Sequence, residues 1–337
     1  MLTKSSTMQQ PRYESRTGAR VPLDPDARAY LAARGAAGMF PLAQLTPQIA
    51  RERMNVAYAE LFGPVVDVGS VLELTLPGKG GGIPIRVYSP RHADVGLPAT
   101  LYFHGGGWVT GSLDSHDGVC RIIADQSRCV VVAVDYRLAP EHPFPAAVDD
   151  AWAATVWVAE RGHDLGIRPG ALAVVGDSAG GGLAAVVARR ARDRHLALAH
   201  QVLICPVTDC ALDRPSHVVH DTAGPSVESL QWFWAHYVGA DGDAEHPDAS
   251  PLRAPDLAGV APATVITAEY DTLRDEGEAY AERLARAGVD VTVSCYVGMI
   301  HGFFRMRNVI AKADECLNQC AAVLRKAFAA DEESRRA

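Results

Sequence analysis

Leu172-Ala173-Val174-Val175-Gly176-Asp177-Ser178-Ala179-Gly180-Gly181 is the stretch that decides the fold. Four apolar residues read as a buried strand, and the Ala-rich run over residues 179–192 reads as a helix. Between them lies G-x-S-x-G, whose glycines permit a sharp strand-to-helix turn that exposes the Ser178 side chain. The helix begins at that turn, so its unpaired N–H groups favour negative charge near Ser178. Average Gly and Ser usage gives roughly 0.1 chance matches to the pattern in a chain this long. Its place between strand and helix gives it weight over the plainer reading, a glycine turn for close packing.

The same alternation extends in both directions. Short apolar runs occur at residues 99–103, 130–134, 172–175, 202–204, 263–267 and 291–296. Amphipathic stretches at 146–160, 179–192, 274–287 and 309–328 follow or separate them. Strand and helix in repeated succession predict an α/β fold with a mostly parallel central sheet and helices on both faces. Upstream, residues 71–75 and 84–88 alternate in polarity around Lys79-Gly80-Gly81-Gly82 and predict a hairpin. Asp24-Pro25-Asp26 and Thr46-Pro47 open two earlier helices, the second closed by Gly63-Pro64. The gap from 207 to 261 is too long for a simple crossover. It reads as an insertion over one end of the sheet, with a turn-rich piece at 213–225 and a helix at 226–237. The chain, residues 1–337, is expected to be a single domain. The polar residues 1–20 are expected to dock loosely.

Composition narrows the function. The chain is 337 residues long, 48% apolar and 21% charged, enough to bury a large core. A net charge of −8 does not favour a nucleic-acid or anionic-membrane partner. Neither an apolar run of about 18 residues nor an apolar export signal is present, so a cytoplasmic location without membrane insertion is expected. Seven scattered cysteines suggest a reducing compartment rather than a disulfide framework. Cys316 and Cys320 share a helix face but lack further ligands at zinc spacing.

In an open parallel sheet, ligands bind beyond the carboxyl ends of the strands. After residues 99–103 comes His104-Gly105-Gly106-Gly107-Trp108. Its glycines can turn N–H groups toward a tetrahedral oxyanion, as in lipases and esterases. His104 precedes the glycines and is expected to brace the loop. A serine nucleophile needs a base and an orienting acid, in the order Ser…Asp…His for this fold. Asp271 and His301 follow two successive strands at their carboxyl ends. Asp275 is the rival acid, one helical turn further on. Glu269 reads as a loop-bracing carboxylate, and His116 and His142 as residues that could line the cleft. Tyr136-Arg137-Leu138-Ala139-Pro140-Glu141 reads as a rigid loop in which Arg137 and Glu141 pair. Trp108, Asp177, Trp232 and Tyr237 are candidate substrate-binding residues, with packing of the cap as the alternative role for the aromatic cluster at 232–237.

Together these residues resemble the hormone-sensitive lipase family of α/β-hydrolases, family IV of the bacterial lipolytic enzymes. The likeness spans about residues 70–328. It rests on His104-Gly105-Gly106-Gly107, the stretch from Asp135 to Glu141, Gly176-Asp177-Ser178-Ala179-Gly180-Gly181, the stretch from Asp271 to Gly277, and His301-Gly302-Phe303, all in family order. The resemblance implies Ser178 as nucleophile, His301 as general base and acid, Asp271 as orienting carboxylate, and an oxyanion hole from the N–H groups of Gly105, Gly106 and Ala179. It implies a serine carboxylesterase acting on short-chain acyl esters through an acyl-enzyme, with no metal or cofactor required. The family's cap combines an N-terminal helical segment with an insertion after the sixth strand, so the resemblance implies cap elements at 1–68 and 211–250 and a catalytic core at 69–210 and 251–330. The family usually has proline where this chain has Thr272. Many members dimerise, often through the last strand, so a homodimer is a partner the resemblance allows. An amide or carbamate hydrolase, or a metabolite deacetylase, would use the same site. A non-catalytic ligand receptor would be expected to lack a triad member.

Overall fold

The computed structural model describes residues 22–36, 42–91, 96–220 and 223–336. The loosely docked N-terminal stretch expected at 1–20 lies outside them. Among the described residues, eight strands form one sheet in the order β1-β2-β4-β3-β5-β6-β7-β8. They are β1 (Ser70–Gly78), β2 (Gly81–Ser89), β3 (Leu97–Phe103), β4 (Val130–Val134), β5 (Ile167–Asp177), β6 (His200–Ile204), β7 (Ala263–Tyr270) and β8 (Val291–Ile300). The predicted hairpin is β1–β2, paired antiparallel from Ser70 opposite Ser89 to Gly78 opposite Gly81. It joins the sheet antiparallel to β4, and every later pairing is parallel.

Alternation along each strand sorts the core into two layers, because successive side chains point to opposite faces. Val130, Val132 and Val134 of β4, with Leu172 and Val174 of β5, pack against α4 (Ala146–Arg161), α5 (Ala179–Asp193) and α8 (Arg274–Arg286). Val131 and Ala133, with Ala173 and Val175, pack on the other face against α3 (Asp117–Ser127) and α9 (Lys312–Arg336). Each fully buried Val or Leu contributes about 1.5–3 kcal/mol, so both faces must be covered.

The sequence reading names no helix between residues 103 and 130, yet α3 occupies this crossover. Gly118 in its first turn and a left-handed Arg128 in place of a C-terminal glycine hide it. Val119, Cys120, Ile122, Ile123 and Ala124 nevertheless line its buried side.

The described part of residues 1–68 contributes α1 (Pro25–Ala36) and α2 (Pro47–Phe62). Thr46 Oγ1 accepts from Ile49 N at 3.4 Å and caps α2, with Pro47 in the first turn. α1 docks at the far edge of the sheet, where Asp24 N donates to Gly298 O at 3.0 Å. α2 lies over the loop after β3. Its Arg51 donates to Val109 O at 2.7 Å, to Ala139 O at 2.8 Å and with two nitrogens to Glu141. Glu141 therefore pairs with Arg51, while Arg137 pairs with the buried Asp150 at 2.8 Å. This corrects the expected Arg137–Glu141 pair. The insertion after β6 holds α6 (Pro215–Val219), within the piece read as turns, and α7 (Val227–Val238). No helix among the described residues is long and apolar enough to cross a membrane.

Candidate active site

The carboxyl ends of β3, β5, β6, β7 and β8 converge on one edge of the sheet. At β5 the chain turns into α5 through Ser178, at φ 53° and ψ −121°. A non-glycine residue with such a φ is strained and is held only by its surroundings. Here Ser178 N donates to Ile204 O at 2.8 Å, and Ser178 O accepts from Gly182 N at 3.1 Å and Val207 N at 2.9 Å. The turn is also tight: a Cβ on Gly180 would lie 1.9 Å from Phe103 O, so only glycine fits. Ser178 thus stands at the N-terminus of α5, where Ala179 N–H points away from the helix.

The glycine loop after β3 lies beside this turn. Gly106 and Gly107 have φ of 125° and 60°, followed by Trp108 at 60°. Gly106 O folds inward to accept from Thr110 N and Thr110 Oγ1, both at 2.9 Å. A Cβ on Gly107 would meet the Phe233 ring at 2.1 Å, so α7 rests directly on the loop. Gly105 N donates to Asp177 Oδ1 at 2.9 Å. That bond corrects the expected oxyanion role of Gly105, whose N–H is already engaged. The N–H groups of Gly106 and Gly107 have no protein acceptor among the described residues. With Ala179 N–H of the serine turn, they are the free backbone donors beside Ser178 among the described residues.

Asp177 was expected among the substrate contacts, and its position corrects that too. Its carboxylate is buried and accepts from Tyr102 Oη at 2.7 Å as well as from Gly105 N, with His116 Nε2 at 3.3 Å. Burial would raise its pKa, but His116, buried Arg305 and the Tyr102 hydroxyl outweigh it and hold the carboxyl below the usual range. His116 therefore braces this network, and His142 is exposed. His104 braces the loop as expected: Nδ1 lies 2.9 Å from Gly105 O, and the ring stacks on Tyr136 at 4.3 Å. Burial, aided by His116, pushes its pKa down to about 3. Trp108 and Tyr237 are buried and stacked 3.9 Å apart with planes 6° from parallel. They join α7 to the core, which is the packing alternative. Trp232 is partly exposed and meets Phe233 and His236 edge-on.

β7 and β8 supply the acid–base pair. His301 Nδ1 lies 2.8 Å from Asp271 Oδ2, while Asp271 Oδ1 accepts from Leu273 N at 2.9 Å. Asp271 is fully buried, and His301 retains 12% side-chain exposure. The rival Asp275 accepts from Ser216 N at 2.8 Å and from Arg274, away from the imidazole. Glu269 accepts from Gly298 N at 2.8 Å and so braces the turn before His301.

One neighbour escaped the sequence reading. Cys205, just past β6, places its sulfur within 4.8 Å of an Asp271 carboxylate oxygen and a His301 ring nitrogen. Burial and the Asp271 charge push this thiol well above its ordinary pKa, which keeps it protonated beside the carboxylate. Its place at the carboxyl end of a strand was the available signal.

The comparisons with known proteins agree with this fold. Residues 100–305 match a family model described as the alpha/beta hydrolase fold. The chain is 41% identical over 306 residues to an ethyl acetate hydrolase of Pseudomonas putida, covering 88% of this chain and 96% of that one. Among solved structures, it is similar to a hyperthermophilic esterase from the archaeon Pyrobaculum calidifontis. That match has a TM-score of 0.84 and 42% identity, covering 91% of this chain and 99% of the other. An ester-hydrolase from the Lake Arreo metagenome, complexed with a bipyridine phosphonate derivative, matches with a TM-score of 0.88 and 39% identity. It covers 91% and 99% of the two chains.

Proposed function

The chain belongs to the α/β-hydrolase fold family, in the hormone-sensitive-lipase-like esterase branch, and from that premise we propose that it hydrolyses carboxylic esters through Ser178, His301 and Asp271. The observation that carries the reading is the 2.8 Å contact between His301 Nδ1 and Asp271 Oδ2. With Nδ1 facing the carboxylate, Nε2 is the nitrogen left for the Ser178 hydroxyl. His301 takes the serine proton as Ser178 attacks the ester carbonyl, and the carbonyl oxygen becomes an oxyanion. The N–H groups of Gly106, Gly107 and Ala179 receive that charge, aided by the N-terminus of α5. His301 then protonates the leaving alcohol, and water repeats the sequence on the acyl-enzyme. Asp271 stays ionised and orients the imidazole.

The described residues within 1–68 and 211–250 serve in this reading as the cap over the site. Its aromatic residues pack inward, with Phe233 on the glycine loop and Tyr237 on Trp108. That packing favours a small acyl pocket and a short-chain substrate, in line with the ethyl acetate hydrolase named among the relatives.

Ser178→Ala tests the assignment. Wild type should give a burst and turnover of p-nitrophenyl acetate, and the variant neither, at an unchanged thermal midpoint. A folded variant keeping a tenth of wild-type kcat would remove Ser178 as nucleophile.

A further inference from the structure

We propose that Thr272 is a positioning residue whose hydroxyl holds the segment Ala223-Gly224-Pro225 across the Asp271–His301 pair. The proposal rests on the reading of that pair as the acid and base of the reaction. Thr272 directly follows Asp271 in the chain, so its side chain sits at the acid member of the pair.

The segment belongs to the insertion between α6 and α7, and it lies on both members of the pair. His301 N donates to Ala223 O at 3.4 Å. A Cβ built on Gly224 would lie 3.3 Å from Asp271 Oδ1, 3.3 Å from His301 Cβ and 2.9 Å from Thr272 Oγ1. Backbone from the insertion is thus layered directly on the carboxylate, and Asp271 has no exposure to solvent. Thr272 Oγ1 donates to Pro225 O at 3.0 Å and ties the end of this segment to the residue after the acid. Thr272 itself is buried, and its carbonyl accepts from Ser216 Oγ at 2.7 Å, which anchors α6 to the same loop. Ser216 N reaches Asp275 Oδ2, so Ser216 and Asp275 fix the start of the insertion while Thr272 fixes the part over the pair.

The consequence follows from the dielectric. An imidazole–carboxylate hydrogen bond is stronger when water is kept from it. Proline at 272 could not donate a side-chain hydrogen bond to Pro225 O, whereas threonine can. Loosening the segment would let water reach Asp271 and weaken the alignment of the imidazole at a step where small misplacement is costly.

Thr272→Val removes the hydroxyl at constant shape, and Thr272→Ser keeps it. Thr272→Val should lower kcat on p-nitrophenyl acetate roughly three- to tenfold, the size of one hydrogen bond, with KM changed less than about twofold. Thr272→Ser should restore kcat. The downfield proton resonance of the His301 Nδ1–H should exchange faster with water in the valine variant and normally in the serine variant. A valine variant with wild-type kcat and wild-type proton exchange would overturn the proposal, as would a serine variant no better than valine. If wild type failed to turn over esters at all, the functional reading would fall, and the proton-exchange comparison would still decide the role of Thr272.

Discussion

Gly105 N and Asp177 Oδ1 are joined by a 2.9 Å hydrogen bond across 72 positions of sequence. It makes the glycine loop and the serine turn one unit, since Asp177 directly precedes Ser178. Asp177→Asn keeps an oxygen for Gly105 but removes the charge that faces His116 and Arg305. We expect a loss of about 2–3 kcal/mol in urea unfolding and about a tenfold fall in kcat, because a single oxyanion donor is worth about 10²–10³ in rate. An unchanged kcat would separate the loop from the reaction.

Asp271→Asn should reduce kcat on the order of 10⁴, as the amide holds the imidazole in the wrong tautomer. Asp275→Asn should cost less than about tenfold, since Asp275 holds Ser216 N and Arg274 instead. Steady-state kinetics on both purified variants decide; equal losses would move the acid away from Asp271.

His104 predicts how stability depends on pH. Its folded pKa is pushed down to about 3 by burial and by His116, against about 6.5 unfolded. The unfolded chain therefore binds the proton first. The contribution of neutral, buried His104 is complete above about pH 6.5 and declines as pH falls toward 3, by up to about 1.4 kcal/mol per unit. His200, lowered to about 4 by burial, acts in the same direction. Urea midpoints between pH 7 and 4 should fall more steeply for wild type than for His104→Gln. Parallel slopes would show that His104 takes up its proton equally in the folded and unfolded chain, and so is not held neutral by burial.

The packed aromatic cluster predicts substrate size. Each acyl methylene gains about 0.8 kcal/mol only while it can be buried. Trp108 and Tyr237 are already closed on each other. A series of p-nitrophenyl esters should show kcat/KM peaking between about two and six acyl carbons and falling beyond. A maximum at ten carbons or more, or a rate jump at emulsion formation, would contradict a closed pocket.

The sequence alone determined the strands and where Ser178, Asp271 and His301 fall after them, because both are written in short stretches. Short continuous apolar runs at 130–134 and 172–175, buried along their whole length, mark strands through neighbouring residues only. The G-x-S-x-G turn needs no distant partner to be legible, and Asp271 and His301 were readable from their places after strands. Tertiary structure decided which groups meet. Gly105 N–H looked like an oxyanion donor until Asp177 claimed it from another strand. Arg137 and Glu141, four residues apart, each found a different partner, Asp150 and Arg51. Cys205 beside Asp271, and Thr272 under Pro225, depend on strands and an insertion converging from separate parts of the chain. Local propensity is set within a few residues, whereas a buried polar group bonds whatever the fold brings within about 3 Å. That choice exists only once the chain has closed.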